Sequence, residues 1–165
     1  MAEKQSVSLE DYLEAVFQVS RKEGVARIST ISIFLGVTKP SVSYAINKLV
    51  EEGLVRHDNY SYVELTPEGH ALARKIVEKH QLLTVFFTEI LGVERQEAEK
   101  EACSMEHYLD AETKDKLEGL VGFILSGPGS NEWLKNLRYY QENRKRPHNC
   151  PERCAAVEKG QHQQP

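Results

Sequence analysis

Cys103-x-x-Glu106-His107 is the stretch whose residue types could do chemistry. On a helix, positions i, i+3 and i+4 turn to one side. A thiolate, a carboxylate and an imidazole converging there could coordinate a divalent metal. The plainer alternative is a small core cysteine, a solvated glutamate and a surface histidine. Three further residues are candidates to join them: His80 in Lys79-His80, and Asp11 and Glu14, which lie three apart and share a helix face. Each also has an ordinary reading, as a structural histidine, a capping acid and a surface charge. A second group, His148, Cys150 and Cys154, could bind zinc or act as a thiol pair. With no second cysteine pair beside it, a polar tail with incidental thiols accounts for it better.

These residues must be positioned by the elements around them. Ser8-x-x-Asp11 has the form of a capping box and starts a helix to about Ser20, with Tyr12, Leu13, Val16, Phe17 and Val19 on its apolar side. Ile28 to Val55 then reads as two short helices joined by a tight turn. Ser29 is placed to cap the first, and Gly36 to end it with left-handed backbone. Thr38 or Lys39 caps the second, with Pro40 in its first turn. Val42, Ala45, Ile46 and Leu49 form an apolar stripe, and Ser41, Ser43, Tyr44, Asn47 and Lys48 lie opposite. This is a helix-turn-helix pattern, whose second helix enters the major groove of DNA. No Asp or Glu occurs from Gly24 to Val50, while Arg27, Lys39 and Lys48 are basic, as a face meeting phosphate requires.

Leu54 to His57 and Tyr62 to Leu65 read as a β-hairpin around Asp58-Asn59-Tyr60-Ser61, the wing of a winged helix. Thr66-Pro67-Glu68 opens a helix that can run to Ile90, about 36 Å at 1.5 Å per residue. Glu94 to Leu109, Ala111 to Leu125 and Asn131 to Glu142 read as three more helices, and the chain from Asn143 is polar and expected to be flexible. The fold class is therefore mainly α with a small β-hairpin wing. The expected division is a DNA-binding part over 1–75, a helical metal-binding and dimerisation part over 76–142, and a tail over 143–165.

The composition is that of an ordinary water-exposed protein, 40% apolar and 28% charged over 165 residues, with formal net charge −4. That charge argues against indiscriminate coating of nucleic acid. It is concentrated between residues 81 and 141, where 11 acids meet 6 bases. No apolar run reaches the ~18 residues of a membrane span. The start lacks the apolar core of a signal peptide. Three cysteines do not suggest a disulfide scaffold, so a reducing cytoplasm is the expected location.

The chain resembles the diphtheria toxin repressor and manganese transport regulator family of metal-dependent transcriptional repressors. The resemblance runs from about Ser8 to Leu125. It is carried by Glu10-Asp11-Tyr12-Leu13-Glu14, Val37-Thr38-Lys39-Pro40-Ser41-Val42-Ser43, Leu65-Thr66-Pro67-Glu68-Gly69, Lys79-His80-Gln81-Leu82-Leu83 and Glu101-Ala102-Cys103-Ser104-Met105-Glu106-His107. It implies a homodimer with a metal site between the DNA-binding and dimerisation parts, and a palindromic double-stranded operator. Asp11, Glu14, His80, Glu106 and His107 match ligands of the manganese branch. Cys103 matches the iron branch instead, so the pattern is mixed. Thr84 and Glu99 stand where the iron branch's second site has an acid and a histidine, so a second site of that type is not expected.

Carboxylates and imidazoles suit Fe²⁺ and Mn²⁺, and a thiolate shifts the balance toward Fe²⁺, with Zn²⁺ or Co²⁺ as binders in vitro. Thr38, Lys39, Pro40, Ser41, Ser43, Tyr44 and Lys48 are the expected DNA-facing residues of the second helix, and Arg27 a backbone contact. The output implied by the resemblance is repression of metal-uptake genes, with no catalysis. The competing readings are a winged helix answering to a small ligand or oxidant through Cys103, a metal-dependent hydrolase, and a constitutive DNA-binding dimer.

Overall fold

The computed structural model describes residues 8–57 and 62–147. Helix α1 (Leu9–Glu23) is started by the capping box: Ser8 Oγ accepts from Asp11 N–H, and the Asp11 carboxylate accepts from Ser8 N–H. Glu10 and Asp11 in its first turn and Arg21 and Lys22 in its last oppose the helix dipole. A two-residue strand, β1 (Ala26–Arg27), leads into α2 (Ile28–Leu35). Ser29 does not cap α2. Arg27 occupies the cap position and Thr30 Oγ1 closes the turn, accepting from Arg27 N–H and donating to its carbonyl. Gly36 takes left-handed backbone (φ 64°), which lets its own N–H and that of Val37 return to the carbonyls of Ile33 and Ser32.

Helix α3 (Lys39–Glu51) is capped by Thr38, with Pro40 in its first turn. Strands β2 (Val55–His57) and β3 (Tyr62–Leu65) pair antiparallel, Val55 opposite Leu65 and His57 opposite Val63. The turn read at Asp58 to Ser61 lies outside the described residues. The sheet has a third member that the sequence reading lacked, since β1 pairs with β3 to give the order β1-β3-β2. Two residues are too few to show the alternation that marks a strand. Leu13 and Val16 of α1, Ile31 of α2, Val42, Ile46 and Leu49 of α3, and Val55 and Val63 of the sheet close into one core.

Helix α4 (Pro67–Val85) sits flush on that core. Thr66 Oγ1 accepts from Gly69 N–H and donates to the Gly53 carbonyl. A Cβ at Gly69 would stand 1.8 Å from the Leu54 carbonyl oxygen, so only glycine permits this approach. The expected run to Ile90 is continuous, but its last turn, Phe86–Ile90, is π-helical. Helix α5 (Arg95–Met105) is shorter than the expected Glu94 to Leu109. A 3₁₀ turn over Glu106–Tyr108 follows it, and Leu109 is extended before Asp110 caps α6 (Ala111–Ser126). Helix α7 (Ser130–Asn143) completes the described chain. Leu83, Ile90, Ala98, Ala102 and Val121 are buried in this second half. Among the described residues no helix is long and apolar enough to cross a membrane.

Candidate metal centre and DNA interface

Three elements bring the chemistry-bearing residues together. The first two turns of α1 supply Asp11 and Glu14, the middle of α4 supplies His80, and the end of α5 with its 3₁₀ turn supplies Cys103, Glu106 and His107. Helix α4 packs on both α1 and α5, so it sets the distance between them. All six residues expected from the sequence meet here. They do so without the continuous helix expected over 103–107, because α5 ends at Met105.

Glu106 is the hub. It is 1% exposed and belongs to two groups of potential donors, Asp11 with Cys103 and Glu14 with His80. Within each group the three donor atoms lie within 4.8 Å of one another. Glu106 Oε2 is 2.8 Å from His80 Nδ1, but its Oε1 is buried without a hydrogen-bond partner. His107 Nε2 lies 2.9 Å from Asp11 Oδ1 and 3.8 Å from Glu106 Oε1. Cys103 as a residue is exposed, yet its Sγ is directed inward, 4.0 Å from Asp11 Oδ1. Asp11 thus caps α1 through one oxygen and faces the cluster with the other.

The electrostatics show an excess of negative charge. Burial, reinforced by Glu106, raises the Glu14 carboxyl above its ordinary value. Burial followed by the charges of Asp11, Glu106 and Glu14 pushes the Cys103 thiol up to about 12. The hydrogen bond to Glu106 outweighs burial and raises His80. At His107 burial works downward, but Glu10 and Asp11 together prevail and raise it. A divalent cation would remove this excess and draw the carboxylates and the thiol into their charged forms. It would also satisfy Glu106 Oε1, since an orphaned buried carboxylate oxygen costs free energy that a ligand recovers. The residues therefore fit a metal ion by donor chemistry and by the unpaired atom. The cluster opens on a cleft of about 750 Å³ that Phe34, Leu35 and Tyr108 also line.

Two residues at the site were not singled out from the sequence. Glu10 Oε2 lies 2.7 Å from His107 Nδ1, and Ser8 Oγ lies 3.5 Å from His107 Nε2. The signal for Glu10 was its spacing, since Glu10 and Glu14 stand four apart on α1. Thr84 is buried with its hydroxyl unpaired, and Glu99 is held by Arg95 while lining the cleft.

The second surface is the outer face of α3. Thr38, Lys39, Pro40, Ser41, Tyr44 and Lys48 are exposed there, and Ser43 is half-buried. Thr38 Oγ1 is 2.9 Å from Ser41 Oγ, so capping engages both hydroxyls. Lys48 Nζ lies 5.7 Å from the centre of the Tyr44 ring. Arg27 stacks on Tyr62 of β3, its guanidinium carbon 4.9 Å from the ring centre, which places a cation beside the wing. Leu9 and Tyr12 of α1 and Pro40 and Tyr44 of α3 share a groove, so α1 borders both surfaces.

Two family models match in succession: the iron dependent repressor N-terminal DNA binding domain over residues 5–63, and the iron dependent repressor metal binding and dimerisation domain over 66–135. The HTH-type transcriptional regulator MntR of Lysinibacillus sphaericus (strain C3-41) is 30% identical over 121 residues, 73% of this chain and 86% of its own length. Among solved structures, the manganese regulator SloR superposes with TM-score 0.66 at 28% identity, over 72% of this chain and 55% of SloR. A manganese-dependent transcriptional repressor in complex with manganese gives TM-score 0.61 at 28% identity, over 70% of this chain and 53% of its own. This chain thus spans a little over half the length of those solved relatives, and most of the length of the curated one. By these matches the chain belongs to the iron-dependent repressor family of metal-dependent, DNA-binding transcriptional repressors.

Proposed function

We propose that Asp11, Glu14, His80, Cys103, Glu106 and His107 hold the divalent ion to which this metal-responsive, DNA-binding repressor answers. The observation that carries the assignment is Glu106, a fully buried carboxylate shared by two donor groups with one oxygen unpaired. Bound there, Fe²⁺ or Mn²⁺ supplies positive charge and ligand bonds that tie the three contributing elements together. Without that charge Asp11 and Glu14 of α1 repel Glu106 beyond the end of α5. The opposite side of α1 carries Leu13 and Val16 into the same core as Val42 and Ile46 of α3. The seating of α1 therefore sets the seating of α3. In the homodimer, two α3 helices about one turn of DNA apart, ~34 Å, would engage a palindromic operator together.

On this reading Lys39, Ser41, Ser43, Tyr44 and Lys48 face bases and nearby phosphates. Thr38 and Pro40 shape the start of that helix, and Arg27 with the wing meets the backbone, where contacts position without specifying. Residues 1–75 form the DNA-binding part and 76–142 the metal-binding and dimerisation part, with α4 running through the boundary. The regulated genes are those of metal uptake, and the site of action is the cytoplasm. The solved relatives named for manganese favour Mn²⁺, and the thiolate of Cys103 favours Fe²⁺. Replacing Cys103 by Glu is expected to shift activation toward Mn²⁺, measured by anaerobic titration of each ion.

Fluorescence anisotropy on a DNA fragment from upstream of the protein's own gene tests the assignment, at fixed salt. Removal of metal by chelator is expected to lower affinity about tenfold or more, a typical size for such coupling. Glu106→Gln is expected to abolish that response while retaining the fold. Unchanged chelator sensitivity in Glu106→Gln would remove the assignment, and equal binding with and without metal would make the protein a constitutive binder.

A further inference from the structure

We propose that Glu10 is the positioning residue of this centre: its carboxylate holds His107 through Nδ1 and so keeps Nε2 directed at the cluster beside Asp11 and Glu106, as the nitrogen that would ligate a metal. The inference rests on the assignment of His107 as a ligand. A neutral imidazole has one donor nitrogen and one acceptor nitrogen. A carboxylate can only accept, so the 2.7 Å contact with Glu10 Oε2 makes Nδ1 the donor. In the metal-free ring Nε2, 2.9 Å from Asp11 Oδ1 and 3.8 Å from the unpaired Glu106 Oε1, donates to Asp11 in the same way; a cation at the cluster would displace that proton, and the Glu10 contact keeps the other on Nδ1, leaving Nε2 as the ligating atom.

His107 needs such a restraint. It lies in the 3₁₀ turn beyond the end of α5, where regular helix no longer fixes the direction of its side chain. Ser8 Oγ, at 3.5 Å, is too distant to hold the ring firmly. Glu10 is well placed to do so, because the Ser8–Asp11 capping box brackets it and locks its backbone. The Glu10 side chain is 49% exposed and absent from the core, so tying α1 to His107 is its only contact of consequence among the described residues. A carboxylate on the far nitrogen of a ligating histidine fixes its tautomer and raises its basicity, and its loss typically costs 10–100-fold in metal affinity.

Zn²⁺, a diamagnetic probe, tests this on the full chain by competition with a chromophoric chelator and by ¹H–¹⁵N spectra of the histidine rings. Glu10→Ala is expected to weaken Zn²⁺ binding by roughly 10–100-fold, and Glu10→Gln, whose amide oxygen still accepts, by no more than about threefold. In the Zn²⁺-loaded protein the His107 ring is expected to carry its proton on Nδ1. Metal-free melting curves that overlay show that the fold is not what is lost. Glu10→Ala with unchanged affinity, while His107→Ala is weakened, overturns the positioning role alone. Equal losses in Glu10→Ala and Glu10→Gln overturn it too, by showing that charge and not the hydrogen bond matters. An unaffected His107→Ala overturns the ligand assignment itself.

Discussion

The two halves of the molecule bury their helices very differently. In the winged-helix half, α1, α2, α3 and the sheet surround side chains such as Leu13, Ile31, Val42 and Ile46, which are essentially sealed from solvent. In the second half, Val121 is the only residue of α6 that is buried, and α7 has none among the described residues. Phe123 is 80% exposed, with Leu120 at 48% and Trp133 at 46%. Apolar surface of that kind on two adjacent helices marks a face for interaction. The winged-helix half closes its core within one chain, whereas α6 and α7 leave an apolar face open, one suited to a second copy in keeping with the match to a dimerisation domain. The candidate metal centre lies where α1 of the first half meets α4 and the end of α5.

Substitutions can break this contrast at either end. Ile46→Ala opens a cavity in the sealed core and is expected to cost about 2–5 kcal/mol, read by chemical denaturation. A loss well below that range would mean that the winged-helix core collapses around the gap. Phe123→Asp puts a charge on the exposed apolar face. It is expected to weaken dimerisation about a hundredfold, some 2.7 kcal/mol, in sedimentation equilibrium, with little change in monomer structure. A dimer of unaltered affinity would show that the second copy docks elsewhere. Thr38→Ala removes a single cap from the surface of the finished half and is expected to cost about 1 kcal/mol in thermal unfolding. A much larger loss would show that the Thr38–Ser41 contact supports more than one helix end.

The winged-helix half was the more legible in sequence because local rules decide it. The Ser8 and Thr38 caps, the Gly36 turn and the stripe of α3 each depend on neighbours a few residues away. Strand β1 escaped because its partner Val63 is 37 positions distant and two residues show no period. The candidate site was legible as a set of residue types that the fold brings together, Asp11, Glu14, His80, Cys103, Glu106 and His107. Its shape was not. The break of α5 at Met105 depends on Leu109 turning extended before Asp110 starts a new helix, and no residue type there announces it. Glu10 was overlooked because an acid in a first helical turn usually has a sufficient explanation in the dipole.

The small strand β1 has a consequence for how the protein would read a duplex. Because Ala26 and Arg27 pair with β3, the hairpin is stitched to the segment from which α2 departs. Arg27 adds a second stitch by lying over the Tyr62 ring. The paired strands and the start of α2 are therefore held at a fixed spacing. On the proposed reading, a duplex whose backbone and groove did not match that spacing would lose one contact or the other, and groove width would be sensed along with the bases.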